Sequence, residues 1–257
     1  MDGNRVKKML AEGQVTMGSW LSFFDPTAAE IMADVGFDWL IIDSEHAPIG
    51  PKEMQDIVMA FKGSDTSPIV RVGWNDQVLI KTALDLGAEG VMVPLVNTGE
   101  EARQAVVACK YPPEGIRGVG PRRPAKYGAT LLEYMEAANE DVLVTVQIES
   151  IQAVEHIEEI LAVEGVDTVF VGQGDLTGSM GLLPQFEHPK VREAINRVLE
   201  ACLRAKVPFG VAALSEDEAA DWISRGAQFV AFGGDIYYMR DAAVASLEAV
   251  KGQMERK

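Results

Sequence analysis

Asp43, Glu45 and His46 stand together at the end of the apolar run Gly36-Phe37-Asp38-Trp39-Leu40-Ile41-Ile42. Carboxylates beside an imidazole are the raw material of acid–base chemistry, because histidine changes charge near neutral pH and a nearby carboxylate tunes it. The run reads as a parallel strand covered on both faces, so the three side chains sit at its carboxyl end, where α/β enzymes carry their sites. Asp43 and Glu45 could equally be charges on a loop after a core strand. His156, among acids in a helical stretch, and His188, before Pro189, read as surface residues. That leaves His46 as the imidazole base.

Other strand ends carry polar groups of the same kind. Ile69-Val70-Arg71-Val72 delivers Arg71, either a donor for developing negative charge or a structural partner of a strand-end acid. Gln147 and Glu149 are two apart in Val146-Gln147-Ile148-Glu149 and therefore share one side of a strand, where polar groups need partners. Asp175 follows a further apolar run in Val171-Gly172-Gln173-Gly174-Asp175. Glu149 and Asp175 together offer hard oxygen ligands suited to Mg2+ or Mn2+. The alternative is that Glu149 caps the next helix and Asp175 shapes a loop. Phe232-Gly233-Gly234-Asp235 ends the last strand as a phosphate-binding turn or a simple tight one.

These residues need a frame that brings strand ends to one face, and the chain alternates strand and helix almost throughout. Strands are expected over residues 15–23, 37–43, 68–72, 90–96, 142–149, 166–172, 208–214 and 228–232. Helices are expected over 25–36, 51–62, 76–86, 99–110, 151–163, 189–206, 215–225 and 238–254, with a short one over 131–139. A Gly-, Pro- and Arg-rich loop spans 111–124, and another follows the sixth strand through Leu183-Pro184. The expected fold is α/β, a single (β/α)8 TIM barrel occupying 1–257 as one domain. A doubly wound open sheet would need an early phosphate-binding glycine turn, and the sequence has none.

Composition narrows the partners. With 39 Asp and Glu against 23 Lys and Arg, the net charge is −16, which disfavours nucleic acid and anionic membranes. Cys109 and Cys202 form no metal or redox spacing, and a reducing cytoplasm fits them. Residues 1–13 lack a signal-peptide core, and no run is long and apolar enough to span a membrane. Apolar residues Ala243, Val244, Leu247 and Val250 on the last helix either cover the barrel or meet another copy.

In this order the motifs resemble the HpcH/HpaI family of class II pyruvate-dependent aldolases. The matching segments are Gly36 to His46, Arg71 with Trp74-Asn75-Asp76, Tyr111-Pro112-Pro113-Glu114-Gly115-Ile116-Arg117-Gly118-Val119-Gly120, Gln147-Ile148-Glu149 and Gly172-Gln173-Gly174-Asp175-Leu176. The resemblance implies a pyruvate-type (β/α)8 barrel with a divalent metal ion (Mg2+ or Mn2+, with Co2+ a further candidate) on Glu149 and Asp175. It implies His46 as base, Arg71 as enolate stabiliser, Gln147 as a substrate-orienting group and backbone at Gly174 as a holder of the pyruvyl carboxylate. It also implies that Asp85 raises the basicity of the imidazole. Asp85 lies late in a helix, so it would act across a subunit contact or through an altered helix end, and Asp43 is its local rival. Small-molecule 2-oxo acid and aldehyde substrates and a homohexamer are implied as well. The chain departs from the family at Gln173 and Gly174, where Pro and Ala or Ser are common, and at Pro121-Arg122-Arg123-Pro124.

The expected reaction is cleavage of a 4-hydroxy-2-oxo acid to pyruvate and an aldehyde. Rival readings are a CoA-ester lyase, an oxaloacetate decarboxylase on the same metal–enolate chemistry, or a non-catalytic oxo-acid-binding barrel. Lys62, Lys81 and Lys110 lie in helices, away from a Schiff-base position. Arg117, Arg122 and Arg123 either meet an acidic or polyhydroxylated aldehyde or pair with the acidic surface.

Overall fold

The computed structural model of the chain describes residues 3–254, so residues 1–2 and 255–257 of the expected domain lie outside it. Eight parallel strands close into a barrel in sequence order: β1 (Thr16–Leu21), β2 (Trp39–Asp43), β3 (Ser67–Arg71), β4 (Gly90–Val93), β5 (Leu143–Ile148), β6 (Thr168–Val171), β7 (Phe209–Ala213) and β8 (Phe229–Gly234). Outward-facing Val and Ile pack under the helices, while an inner cluster of Trp39, Ile41, Ile69, Met92, Leu143, Phe170 and Phe229 fills the lumen. Two buried faces explain why these strands read as continuous apolar runs.

The helices are α1 (Arg5–Ala11), α2 (Pro26–Asp34), α3 (Pro51–Ala60), α4 (Gln77–Asp85), α5 (Gly99–Cys109), α6 (Leu131–Asp141), α7 (Ile151–Glu155), α8 (Ile157–Leu161), α9 (Gln173–Ser179), α10 (Pro189–Ala205), α11 (Glu216–Ser224) and α12 (Asp235–Met254). Local chemistry sets many of their starts. Asp25, Asp76, Thr98, Ser150 and Ser215 each accept a hydrogen bond from a first-turn amide. Segment 111–124 is irregular, as its Gly and Pro content requires.

Four features differ from the sequence expectation. The opening segment forms α1, whose Val6 and Leu10 plug the bottom of the lumen. The expected helix over 151–163 breaks into α7 and α8 at His156, whose Nδ1 lies 3.1 Å from the Asn97 carbonyl, so this histidine is half-buried rather than a plain surface residue. The loop after β6 begins with α9, on which Asp175 stands. Finally, α12 starts at Asp235, and residues 239–251 are all exposed, so this helix does not cover the barrel.

The β8 turn is not an open phosphate cradle. The buried Asp235 carboxylate accepts from the amides of Ser22 and Phe23 at 2.9–3.0 Å, sewing β8 to the end of β1. Asp235 therefore closes the barrel and stands apart from the other polar strand ends.

The stacked pair Trp39–Phe229, with ring centroids 3.8 Å apart, occupies space beside β1 that only a glycine leaves open. A Cβ at Gly18 would lie 2.1 Å from the Trp39 ring. Gly18→Ala is expected to destabilise the barrel by at least about 1–3 kcal/mol, the usual cost of overpacking, read as a lowered urea midpoint with unchanged m-value.

Candidate active site

Asp43 and Arg71 are direct neighbours in the β2–β3 register, both pointing into the mouth of the barrel. Arg71 donates through Nε to Asp43 Oδ1 at 3.1 Å and through Nη2 to Oδ2 at 2.7 Å, a two-pronged grip that fixes the guanidinium plane. Its Nη1 lies 3.2 Å from Glu45 Oε2, and the guanidinium stacks on Trp20 with its carbon 4.5 Å from the ring centroid. Asp43 Oδ1 also accepts the amides of Glu45 and His46 at 3.1 Å. One carboxylate thus sets both the Arg71 plane and the turn that presents His46.

The His46 ring is exposed, and its Nε2 lies 3.8 Å from Glu45 Oε2. Glu45, not Asp43, is the carboxylate facing the imidazole. Asp43 as a partner of the ring is therefore corrected: its oxygens are taken by Arg71 and by turn amides. Asp85 does not meet His46 within this chain either. It lies at the end of α4, paired with the buried Arg117 at 2.7 Å. The loop arginines are placed by the same finding: Arg117 stacks on Tyr111, Arg123 donates to the Val58 carbonyl and Arg122 is exposed.

Across the mouth, Gln147 and Glu149 face inward at the end of β5, both buried. Gln147 Nε2 donates to Glu149 Oε1 at 2.9 Å, and the Leu95 amide donates to Glu149 Oε2 at 3.0 Å. Leu95 is held at φ 53, a left-handed conformation uncommon for leucine, which aims that amide into the site. A Cβ on Gly172 would lie 2.2 Å from Glu149 Oε1, so glycine there makes room for the carboxylate. Asp175, exposed in the first turn of α9, completes the rim, and a Cβ at Gly174 would meet nothing within 4 Å. His46, Arg71, Gln147, Glu149 and Asp175 line one cleft of about 300 Å3.

Burial pushes the Glu149 carboxyl up to about 7; the Leu95 amide and Arg71 oppose this, while Glu45 and Asp175 add to it by repulsion. Burial also raises Glu45, against the pull of Arg71 and His46. The cleft concentrates carboxylates beyond what Arg71 neutralises. Gln147 Oε1 is buried with no hydrogen-bond partner, and Glu45 Oε2 is buried with only its ion pairs to Arg71 and His46. This donor set is of the hard-oxygen kind that suits a divalent cation, which Glu149 and Asp175 could hold. Among the described residues, no three His, Cys, Asp or Glu side chains are gathered to hold a metal by themselves. Water and a chelating substrate would therefore fill the remaining positions.

Sequence reasoning missed Trp20, which alternation along β1 (Thr16, Gly18, Trp20 inward) could have revealed, and Leu95, which carries no sequence signal. It also missed the apolar wall formed by Phe186 and Leu214.

A family model described as HpcH/HpaI aldolase/citrate lyase matches residues 16–242. The chain is 41% identical over 239 residues to the 5-keto-4-deoxy-D-glucarate aldolase of Shigella dysenteriae serotype 1, covering 93% of each. Among solved structures, it is similar to an HpcH/HpaI aldolase/citrate lyase family protein from Burkholderia cenocepacia J2315, with a TM-score of 0.93 at 35% identity over 96% of this chain and 99% of that one. The HpcH/HpaI aldolase from Desulfitobacterium hafniense DCB-2 superposes with a TM-score of 0.89 at 33% identity, covering 97% of both.

A carboxyl raised from 4.5 to about 7 holds its proton in the fold where the unfolded chain has lost it. Its contribution is fully present below pH 4.5 and is lost as pH rises through about 7, at a cost of roughly 3 kcal/mol. Without divalent cations, Glu149→Gln is therefore expected to melt above the wild type at pH 8 and to lose that advantage by about pH 5.

Proposed function

Because the chain belongs to the HpcH/HpaI aldolase/citrate lyase family, and is thereby a carbon–carbon lyase, we propose that its cleft cleaves 4-hydroxy-2-oxo acids to pyruvate and an aldehyde with a divalent cation at Glu149 and Asp175. The observation that carries this reading is one cleft holding an exposed imidazole, a fixed guanidinium and a surplus of carboxylates. When bound, a cation such as Mg2+ or Mn2+ supplies Lewis acidity toward a chelating 2-oxo acid.

The protein's own groups divide the remaining work. His46 takes the proton of the 4-hydroxyl as the C3–C4 bond breaks, and Glu45, facing its ring, steadies the resulting positive charge. The electron pair of that bond moves toward the 2-oxo oxygen. Arg71 meets the growing negative charge there, already oriented by Asp43 and Trp20, so little reorganisation accompanies the reaction. Gln147 orients the substrate beside Glu149, and backbone at Gly174 receives the pyruvyl carboxylate. The proton on His46 is then available to C3, which completes pyruvate. Asp85 enters only through a neighbouring copy. The exposed Val244, Leu247 and Val250 of α12 support assembly into a homo-oligomer, for which the resemblance implies a hexamer. No helix among the described residues is long and apolar enough to cross a membrane.

Pyruvate release from 4-hydroxy-2-oxo acids tests the reading directly. Release is expected to stop with chelator and return with Mg2+ or Mn2+. His46→Ala is expected to lower kcat by about 10²–10⁴-fold, the usual contribution of a general base. Release indifferent to chelator, or intact in His46→Ala, would contradict the assignment.

A further inference from the structure

The cleft has two unlike walls. The polar wall comes from the turn after β2, the end of β3, the residue following β5 and the start of α9, which carry His46, Arg71, Glu149 and Asp175. The opposite wall is apolar. Trp20 on β1 and Phe170 on β6 meet edge to face at 6.0 Å and form its floor with Ala212 of β7. Phe186, before α10, and Leu214, just after β7, form its lip, and both are exposed to solvent, Leu214 to 77%. Neither packs into the core, and each leaves a large apolar side chain beside the reacting groups.

Charge leads to the same conclusion. Arg71 is the one arginine or lysine lining the cleft among the described residues, and its charge is already shared by Asp43 and Glu45. Asp43, Glu45, Glu149 and Asp175 together outweigh it. A divalent cation would offset that surplus only in part, and the pyruvyl carboxylate would add a further negative charge. A second carboxylate at the far end of a substrate would reach the Leu214–Phe186 lip, where no cation of this chain stands to pair with it, whereas an alkyl chain would cover apolar surface there. Within the same chain, Arg117, Arg122 and Arg123 do not supply that cation, because none of them lines the cleft.

We infer that this chain selects a neutral, apolar aldehyde as the partner of pyruvate, with Leu214 and Phe186 as the residues that set the preference. The inference rests on the aldolase reading above and narrows its substrate class. It sets the chain apart from the curated relatives, which are named for a glucarate derivative, since an aldarate carries a carboxylate at each end. Each methylene buried on such a wall favours binding by about fourfold, so a short alkyl chain is enough for clear discrimination.

The test compares kcat/KM for aldol addition of pyruvate to pentanal and to 4-oxobutanoate, aldehydes of similar length that differ in the terminal carboxylate. Mn2+ is present throughout. Pentanal is expected to be favoured at least about tenfold. Leu214→Arg, which places a cation on the exposed lip, is expected to shrink or reverse that ratio by at least tenfold, with Phe186→Arg as the second variant should the first misfold. Binding without turnover gives an independent readout: calorimetry on the wild type is expected to show 2-oxooctanoate bound more tightly than 2-oxoadipate. Equal use of the two aldehydes, a preference for 4-oxobutanoate, or an unmoved ratio in a folded Arg variant would overturn the inference. Deuterium exchange at C3 of pyruvate in D2O separates the two levels. Exchange with the wrong aldehyde preference removes only this inference, whereas no exchange and no addition to any aldehyde removes the aldolase reading and this inference with it.

Discussion

The grip of Asp43 on Arg71 organises the mouth of the barrel. Parallel register places the two residues side by side at the ends of β2 and β3, and the bidentate geometry leaves the guanidinium one orientation. Trp20 backs it from β1, while Asp43 also ties down the turn that carries His46. A charge buried in this way is costly unless fully partnered, and breaking one side of such a pair is far more damaging than its net contribution suggests. His46, the Arg71 guanidinium and the facing carboxylate Glu45 therefore stand or fall together.

The other half of the mouth is built against electrostatic preference. Glu149 is buried near Glu45 and Asp175, and its environment favours the protonated form. The fold nevertheless commits a buried glutamine, a left-handed leucine amide and a glycine to holding that one carboxylate in place. Such expense at a point that does nothing for the core is the mark of a site kept for a ligand. The hydrophobic shell of Val and Ile between strands and helices supplies the stability that the mouth gives up.

Much of this was legible in the sequence because the barrel imposes simple rules. Continuous apolar runs announced the strands, and capping residues such as Asp25 marked some of the helix starts, so the polar residues ending each run could be assigned to one face. Gln147 and Glu149 followed from two-residue periodicity alone. Other features depend on tertiary context. The φ of Leu95 and the room left by Gly172 leave no trace in residue type. The choice between Asp43 and Glu45 as the carboxylate facing His46 turns on side-chain direction around a tight turn, which spacing does not determine. Nothing in its heptad-like apolar pattern separates α12 lying on the barrel from α12 standing away from it, because an apolar stripe needs a partner without saying which. Asp85 was drawn toward the chemistry by the family resemblance alone and the loop arginines by their charge, yet Arg117 and Asp85 pair with each other at the end of α4.

The carboxylate-rich mouth is proposed as a cation site. Titration of the metal-free protein with Mn2+, followed by electron paramagnetic resonance, tests it most directly. One Mn2+ bound per chain is expected in the wild type, with a large loss of affinity in both Glu149→Gln and Gly172→Ala. Binding left intact in both folded variants, or no binding by the wild type, would contradict it.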